Sequence, residues 1–178
     1  GLALADWGAL VRRPEAARRF QHVVVVDPPP FEGLAHLAAA GRAGLAGSAP
    51  FAAGFLHLAW GRSELEVAER CLGAEWRLRG PIEQLWRGLG RAGGEASGDA
   101  LRDLLAGPGT HPRSAEVAAR CIAVLSELGL CEWRSDRVAP GLRVLSSEGT
   151  ELERSRAYAA CLARHEEGTR YLRNRAQS

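Results

Sequence analysis

Four consecutive valines, Val23-Val24-Val25-Val26, run directly into Asp27 and three prolines, Pro28-Pro29-Pro30. No other feature constrains the chain as much. β-Branched side chains crowd a helical turn but fit a pleated strand. Proline has no backbone N–H, so the strand must end where the prolines begin. An unbroken apolar run of this kind suits a strand covered on both faces, as in a parallel sheet flanked by helices. The segments that follow agree. Phe31 to Ala40 carries Leu34, Leu37 and Ala38 at helical spacing and ends at Gly41. Residues 41–50 are rich in Gly, Ala and Ser and read as a loop. Phe55-Leu56-His57-Leu58-Ala59-Trp60 predicts a second strand, closed by Gly61. A helix opens at Ser63, with Ser63 and Glu66 at the spacing of a capping box. Strand, helix, strand, helix spells a small α/β layer.

The pattern changes after Gly80. Pro81 suits the first turn of a helix bearing Ile82, Leu85, Trp86 and Leu89, and Gly93-Gly94 and Ser97-Gly98 break it. A short helix over Asp99 to Ala106 precedes a longer one, capped by Ser114 and running to Leu128 with Gly129 just beyond. Leu130 to Arg134 and Arg137 to Ala139, joined by Ser135-Asp136, predict a tight β-hairpin. A last helix, from about Leu152 to Arg173, turns Leu152, Tyr158, Ala159, Leu162 and Tyr171 inward. The expected fold class is therefore α/β: a small parallel-sheet layer (residues 1–79), a winged-helix-like part (80–150) and a C-terminal helix packing on the body (151–178).

Composition bounds the function. With 178 residues, 46% of them hydrophobic and 25% charged, the chain can bury a core without metal or disulfide staples. No apolar run approaches the ~18 residues of a membrane span. Net charge is +2, far from that of a dedicated nucleic-acid binder, so any basic surface is local. All 23 basic residues are Arg and there is no Met. The missing Met predicts a fragment of a longer polypeptide, and the first residues lack the basic start of a secretory signal, so a cytoplasmic protein is expected. Cys71, Cys121, Cys131 and Cys161 show no Cys-x-x-Cys pair and read as small buried hydrophobes.

Catalytic chemistry is hard to assemble from these residues. The aspartates, Asp6, Asp27, Asp99, Asp103 and Asp136, form no two-metal pattern, and no glycine-rich phosphate loop follows the first strand. Asp27 and His57, at strand ends, are the only enzyme-like candidates. Interaction chemistry is better represented. Trp76-Arg77-Leu78-Arg79 sets two cations beside apolar surface, which suits an acidic peptide ending in an aromatic residue, so Trp76, Arg77 and Arg79 are the expected partner-binding residues. A winged helix also raises nucleic-acid binding. Its third helix is a poor groove reader, with Arg120 against Glu116 and Glu127, which leaves Arg134, Arg137 and Arg143 on or near the wing for phosphate contact.

Taken in order, Val23-Val24-Val25-Val26-Asp27-Pro28-Pro29, Leu56-His57-Leu58-Ala59-Trp60-Gly61, Leu125-Ser126-Glu127-Leu128-Gly129-Leu130 and Leu152-Glu153-Arg154-Ser155-Arg156-Ala157-Tyr158 resemble the C-terminal domain of bacterial RecJ, the single-stranded-DNA-specific 5'-3' exonuclease. The resemblance runs from about His22 to Leu172. It implies a non-catalytic accessory domain, because the family's nuclease work belongs to N-terminal domains with an Asp-His-His motif that this chain does not contain. It implies no cofactor in this chain, Mn or Mg serving the parent nuclease. It implies as partners the acidic, Phe-ending tail of single-stranded-DNA-binding protein and the nuclease core of the same parent chain, with weak single-stranded DNA contact and no membrane. The alternative expectation is a winged-helix module that contacts the nucleic-acid backbone directly.

Overall fold

The computed structural model describes residues 1–39, 54–135 and 140–177. The protein is mixed α/β, and 59% of the described residues are helical. It divides into two compact units, Gly1–Leu72 with Glu167–Ser178, and Gly73–Glu166. The first unit takes residues from both chain ends, where the sequence reading has parts 1–79, 80–150 and a C-terminal helix 151–178 packing on the body.

In the first unit a six-residue helix α1 (Trp7–Arg12) is capped by Asp6, whose carboxylate accepts the Ala9 N–H at 2.6 Å. A 3-10 turn over Pro14–Arg19 leads into β1 (His22–Val25). After the prolines comes α2 (Glu32–Ala39), and then β2 (Phe55–Leu58). The two strands pair in parallel, His22 opposite Phe55 and Val25 opposite Leu58, so the predicted strand–helix–strand order is present. Coverage on both faces is not. Val24, Val26, Phe55 and Leu58 are each more than half exposed, and Val25 alone of the β1 residues is buried. Gly54 explains the close entry into β2: a Cβ there would stand 2.6 Å from the Gln21 carbonyl oxygen, which accepts the Phe55 N–H at 2.7 Å.

Helix α3 (Arg62–Trp76) follows, and its start corrects the expected cap. The Glu64 carboxylate, not Ser63, accepts the Gly61 N–H at 2.7 Å, and Glu66 pairs with Arg62 at 3.4 Å. A carboxylate satisfies the orphan N–H as a hydroxyl would and adds charge at the positive end of the helix.

The second unit holds α4 (Arg79–Arg91), β3 (Glu95–Ser97), α5 (Gly98–Ala106), α6 (Ala115–Glu127), β4 (Cys131–Arg134) and β5 (Gly141–Val144). The three strands form an antiparallel sheet in the order β3-β5-β4. Its core joins Ile82, Leu85 and Leu89 of α4, Leu101 of α5, Val117, Cys121, Val124 and Leu125 of α6, and Leu142 of β5. Ser114 caps α6 as expected, accepting the Val117 N–H at 3.2 Å. Gly129, at φ +70°, turns the chain out of α6 and lets the Leu130 N–H reach the Leu125 carbonyl at 2.9 Å.

Three expectations are corrected here. Glu95–Ser97, read as part of a break, is a strand, because its backbone finds the edge of β5. The partner of β4 is Gly141–Val144, with Arg134 opposite Gly141, beyond the stretch expected to pair with it. Pro140 offers no N–H to a ladder, and this register turns fully buried Leu142 into the core beside Trp133. The expected strand over 137–139, Arg137 included, and the expected loop over 41–50 lie outside the described residues. The last helix, α7 (Arg156–Ala176), buries Tyr158 and Cys161 in the second unit and Gly168 and Leu172 in the first. Ala159 and Leu162 point outward, against expectation, because Cys161 takes the inward position as a small hydrophobe. Among the described residues no helix is long and apolar enough to cross a membrane.

Candidate functional site

The expected partner-binding residues sit where α3 ends and α4 begins, and their charges go to different tasks. Trp76 is half-buried, and the cation over its ring is Arg120 of α6, 4.0 Å from the ring centroid. Arg120 is fixed there by donating to the Glu75 backbone carbonyl at 2.8 Å and to its Oε2 at 3.2 Å. Arg79 turns to Glu153 at 2.6 Å and stands 6.0 Å from the Tyr158 ring centroid. Tyr158 first, then Glu153, raises its pKa above the ordinary value. Arg77 is exposed and forms no ion pair among the described residues.

The two described arginines expected on a wing, Arg134 and Arg143, lie on the outer face of the three-stranded sheet, each opposed by a carboxylate. Arg134 meets Glu95 at 3.3 Å, and Arg143 meets Glu132 at 3.0 Å. The cross-strand register places these pairs: Arg143 stands opposite both Glu95 and Glu132. The enzyme-like pair is likewise not assembled. The hydrogen-bond partner of His57 is His22, at 3.0 Å, and Asp27 is exposed. Of the cysteines, Cys121, Cys131 and Cys161 are buried, whereas Cys71 is exposed, contrary to expectation. Burial pushes the Cys121 and Cys131 thiols up to about 11. Among the described residues no group of three or more His, Cys, Asp or Glu is placed to hold a metal.

The sequence reading missed a cleft of about 310 Å³ in the second unit. One wall is a stripe of α4, Gln84, Arg87, Gly88 and Arg91, at the spacings that share a helix face. The other is Asp103 and Leu104 of α5, with Gly107, Pro108 and Arg113 from the following loop. Three arginines against one aspartate make it cationic, while Leu104, Pro108 and the two glycines keep it apolar between the charges. Arg113 is held by neutral acceptors, donating to the Leu105 carbonyl at 3.1 Å and to Gln84 Oε1 at 3.3 Å. Its position is set, and among the described residues it makes no ion pair with a carboxylate. Arg87 is paired with Glu83 at 2.9 Å on the solvent side. The sequence offers half of this signal, Arg87 and Arg91 four apart on one helix; nothing local to Arg113 reveals that Gln84 receives it.

A volume of this size is at the lower end for ligand pockets and accommodates one side chain or a short chain end. Apolar lining with a cationic rim suits an anionic group joined to a hydrophobic one.

Compared with family models, curated proteins and solved structures, the chain finds no match in any of the three.

Proposed function

We propose that this chain is a non-catalytic interaction domain of a RecJ-like single-stranded-DNA exonuclease, which recruits the nuclease to single-stranded-DNA-binding protein during DNA repair and recombination in the cytoplasm. The segment order described above motivates the family, and the α4–β3–α5–α6–β4–β5 order with its β3-β5-β4 sheet supports a winged helix in the second unit. The observation that carries the docking role is the arginine-rimmed apolar cleft, with Arg113 oriented into it by neutral acceptors. An acidic peptide that ends in an aromatic residue would place its ring against Leu104 and Pro108 and its carboxylates on Arg91 and Arg113. In this reading Mn- or Mg-dependent chemistry belongs to the nuclease core of the parent chain, and no step of it runs through the residues described here.

The test is a fluorescence-anisotropy titration with a labelled acidic nonapeptide ending in Phe. Binding should weaken with salt, fall at least tenfold in Arg113→Ala, and vanish when the terminal Phe is deleted. No binding at ~100 μM peptide, an affinity equivalent to only about 5.5 kcal/mol, would overturn the docking role. Phosphate contact through Arg134 and Arg143 has less support, since each already faces a carboxylate.

A further inference from the structure

The parallel register of the first unit puts two histidines on one open face. His22 stands opposite Phe55, and Val24 opposite His57. Side chains alternate across a sheet, so these four residues share a face, with the two histidines diagonal to each other across β1 and β2. All four are exposed. The register is held on both sides of them, by the Phe55 N–H on the Gln21 carbonyl at 2.7 Å and the Ala59 N–H on the Val25 carbonyl at 2.8 Å. Both rings stand on a fixed backbone.

Their nitrogens face each other. His22 Nδ1 lies 3.0 Å from His57 Nε2, with the ring centroids 5.3 Å apart and the planes 20° apart, so the rings meet edge to edge. Phe55 stacks on the His22 ring at 5.1 Å and 16°, and stands 6.5 Å from that of His57. It supports the first ring by its face and leaves the edge to the second. In this contact one imidazole donates its N–H and the other accepts. The same two nitrogens offer two lone pairs once the donor ring carries its proton on its outer nitrogen, a change of tautomer with no net gain or loss of protons.

The spacing selects an ion. With bonds of ~2.1 Å, two imidazole nitrogens on one metal stand ~3.0 Å apart when the bonds meet at a right angle and ~3.4 Å apart at the tetrahedral angle. The observed 3.0 Å matches the right angle, which belongs to tetragonal Cu(II) and Ni(II) more than to tetrahedral Zn(II). Nitrogen donors also exclude Mg(II) and Mn(II), which favour carboxylate, carbonyl and water oxygens. The outer torsion of a histidine is broad, and both rings are exposed, so they can turn to converge on one ion and leave its other positions to water. The ion would have something to hold: the described sheet of this unit has two strands, and a pair of strands alone is marginal in water.

We propose that His22 and His57 chelate a divalent transition-metal ion, Cu(II) or Ni(II) in preference to Zn(II), with water completing the site, and that the ion ties β1 to β2. The site lies in the first unit and rests on neither the peptide cleft nor the family reading.

The test is isothermal titration calorimetry of the whole untagged chain with Ni(II), Cu(II) and Zn(II), and with Mg(II) and Mn(II) for comparison. One equivalent of Ni(II) should bind, Cu(II) should bind at least tenfold tighter than Zn(II), and Mg(II) and Mn(II) should not bind at ~1 mM. His22→Ala and His57→Ala should each weaken Ni(II) binding at least tenfold. His36, 3.9 Å from Glu32, and the exposed thiol of Cys71 are the other exposed donors, and His36→Ala and Cys71→Ser should leave the affinity as it is. Saturating Ni(II) should raise the urea midpoint of the parent chain and not that of the His22 or His57 variants. Where an alanine variant does not fold, His22→Gln or His57→Gln takes its place. The parent chain also supplies a reading that needs no variant: Cu(II) should broaden the NMR signals of His22, His57, Phe55 and Val24 before all others. The proposal is overturned if Ni(II) does not bind at ~100 μM, an affinity of only about 5.5 kcal/mol, or if the His22 and His57 variants bind as the parent does. It is equally overturned if they lose stoichiometry at unchanged affinity, as independent imidazoles would, or if His36→Ala or Cys71→Ser removes the binding. Zn(II) binding tighter than Cu(II), Mg(II) or Mn(II) binding as well as Ni(II), an unmoved urea midpoint, or broadening centred elsewhere would each have the same force.

Discussion

Replacing Ser155 by alanine removes an atom with two duties. Ser155 is fully buried at the start of α7; its Oγ accepts the Tyr158 N–H at 3.1 Å and donates to Glu127 Oε2 at 2.6 Å. The first duty is a helix N-cap, whose loss costs about 1 kcal/mol. The second is a hydrogen bond to a charged acceptor, for which roughly 1.5–3 kcal/mol is usual. Glu127 keeps the Arg156 and Ala157 N–H groups at 3.0 and 2.9 Å, so its carboxylate is not left unsatisfied. The combined loss in Ser155→Ala should therefore be about 2.5–4 kcal/mol. With a denaturant slope of roughly 1–3 kcal/mol per molar, the urea midpoint should fall by about 1–4 M. The loss should also depend on pH. The Ser155 hydroxyl first, then the Ala157 and Arg156 N–H groups, hold the Glu127 carboxyl below its ordinary value. A carboxyl depressed in the folded state stabilises the fold above its unfolded pKa, and that contribution disappears as pH falls through the folded pKa. Ser155→Ala returns the Glu127 pKa toward the ordinary range, so the gap between parent and variant is full at neutral pH and narrows below the usual carboxylate range. Urea unfolding followed by circular dichroism at several pH values measures both quantities. A neutral-pH gap below about 0.5 kcal/mol, or one that stays constant into acid, would refute the reasoning.

Leu85 is fully buried in the core of the second unit, so Leu85→Ala should cost about 2–5 kcal/mol in a urea titration, the range for a cavity of this kind. Gly54→Ala drives a Cβ against the Gln21 carbonyl and should destabilise the first unit by about 1–3 kcal/mol, with early loss of amide-exchange protection at Phe55. Of the four thiols, Cys71 alone is exposed and should react rapidly with a thiol reagent near pH 8, while Cys121 and Cys131, raised to about 11, react only after unfolding.

The parts legible in the sequence are those with a local cause. Valines ended by prolines make β1, Ser114 starts α6, Gly129 ends it, and apolar spacing places Ile82, Leu85 and Leu89 on one face of α4. The parallel pairing of β1 with β2 agrees with the parallel layer expected from the strand–helix–strand order. Partnerships between distant segments have no local cause, and there the tertiary structure decided. Glu95–Ser97 carries no strand pattern of its own and became a strand by meeting β5; Trp76 received Arg120 instead of its neighbour Arg77; Arg134 and Arg143 were matched to Glu95 and Glu132. The cleft needed Arg113 to reach Gln84 across the fold. Backbone conformation responds to the few residues on either side, whereas the use of a charge depends on which opposite charge the fold delivers to it.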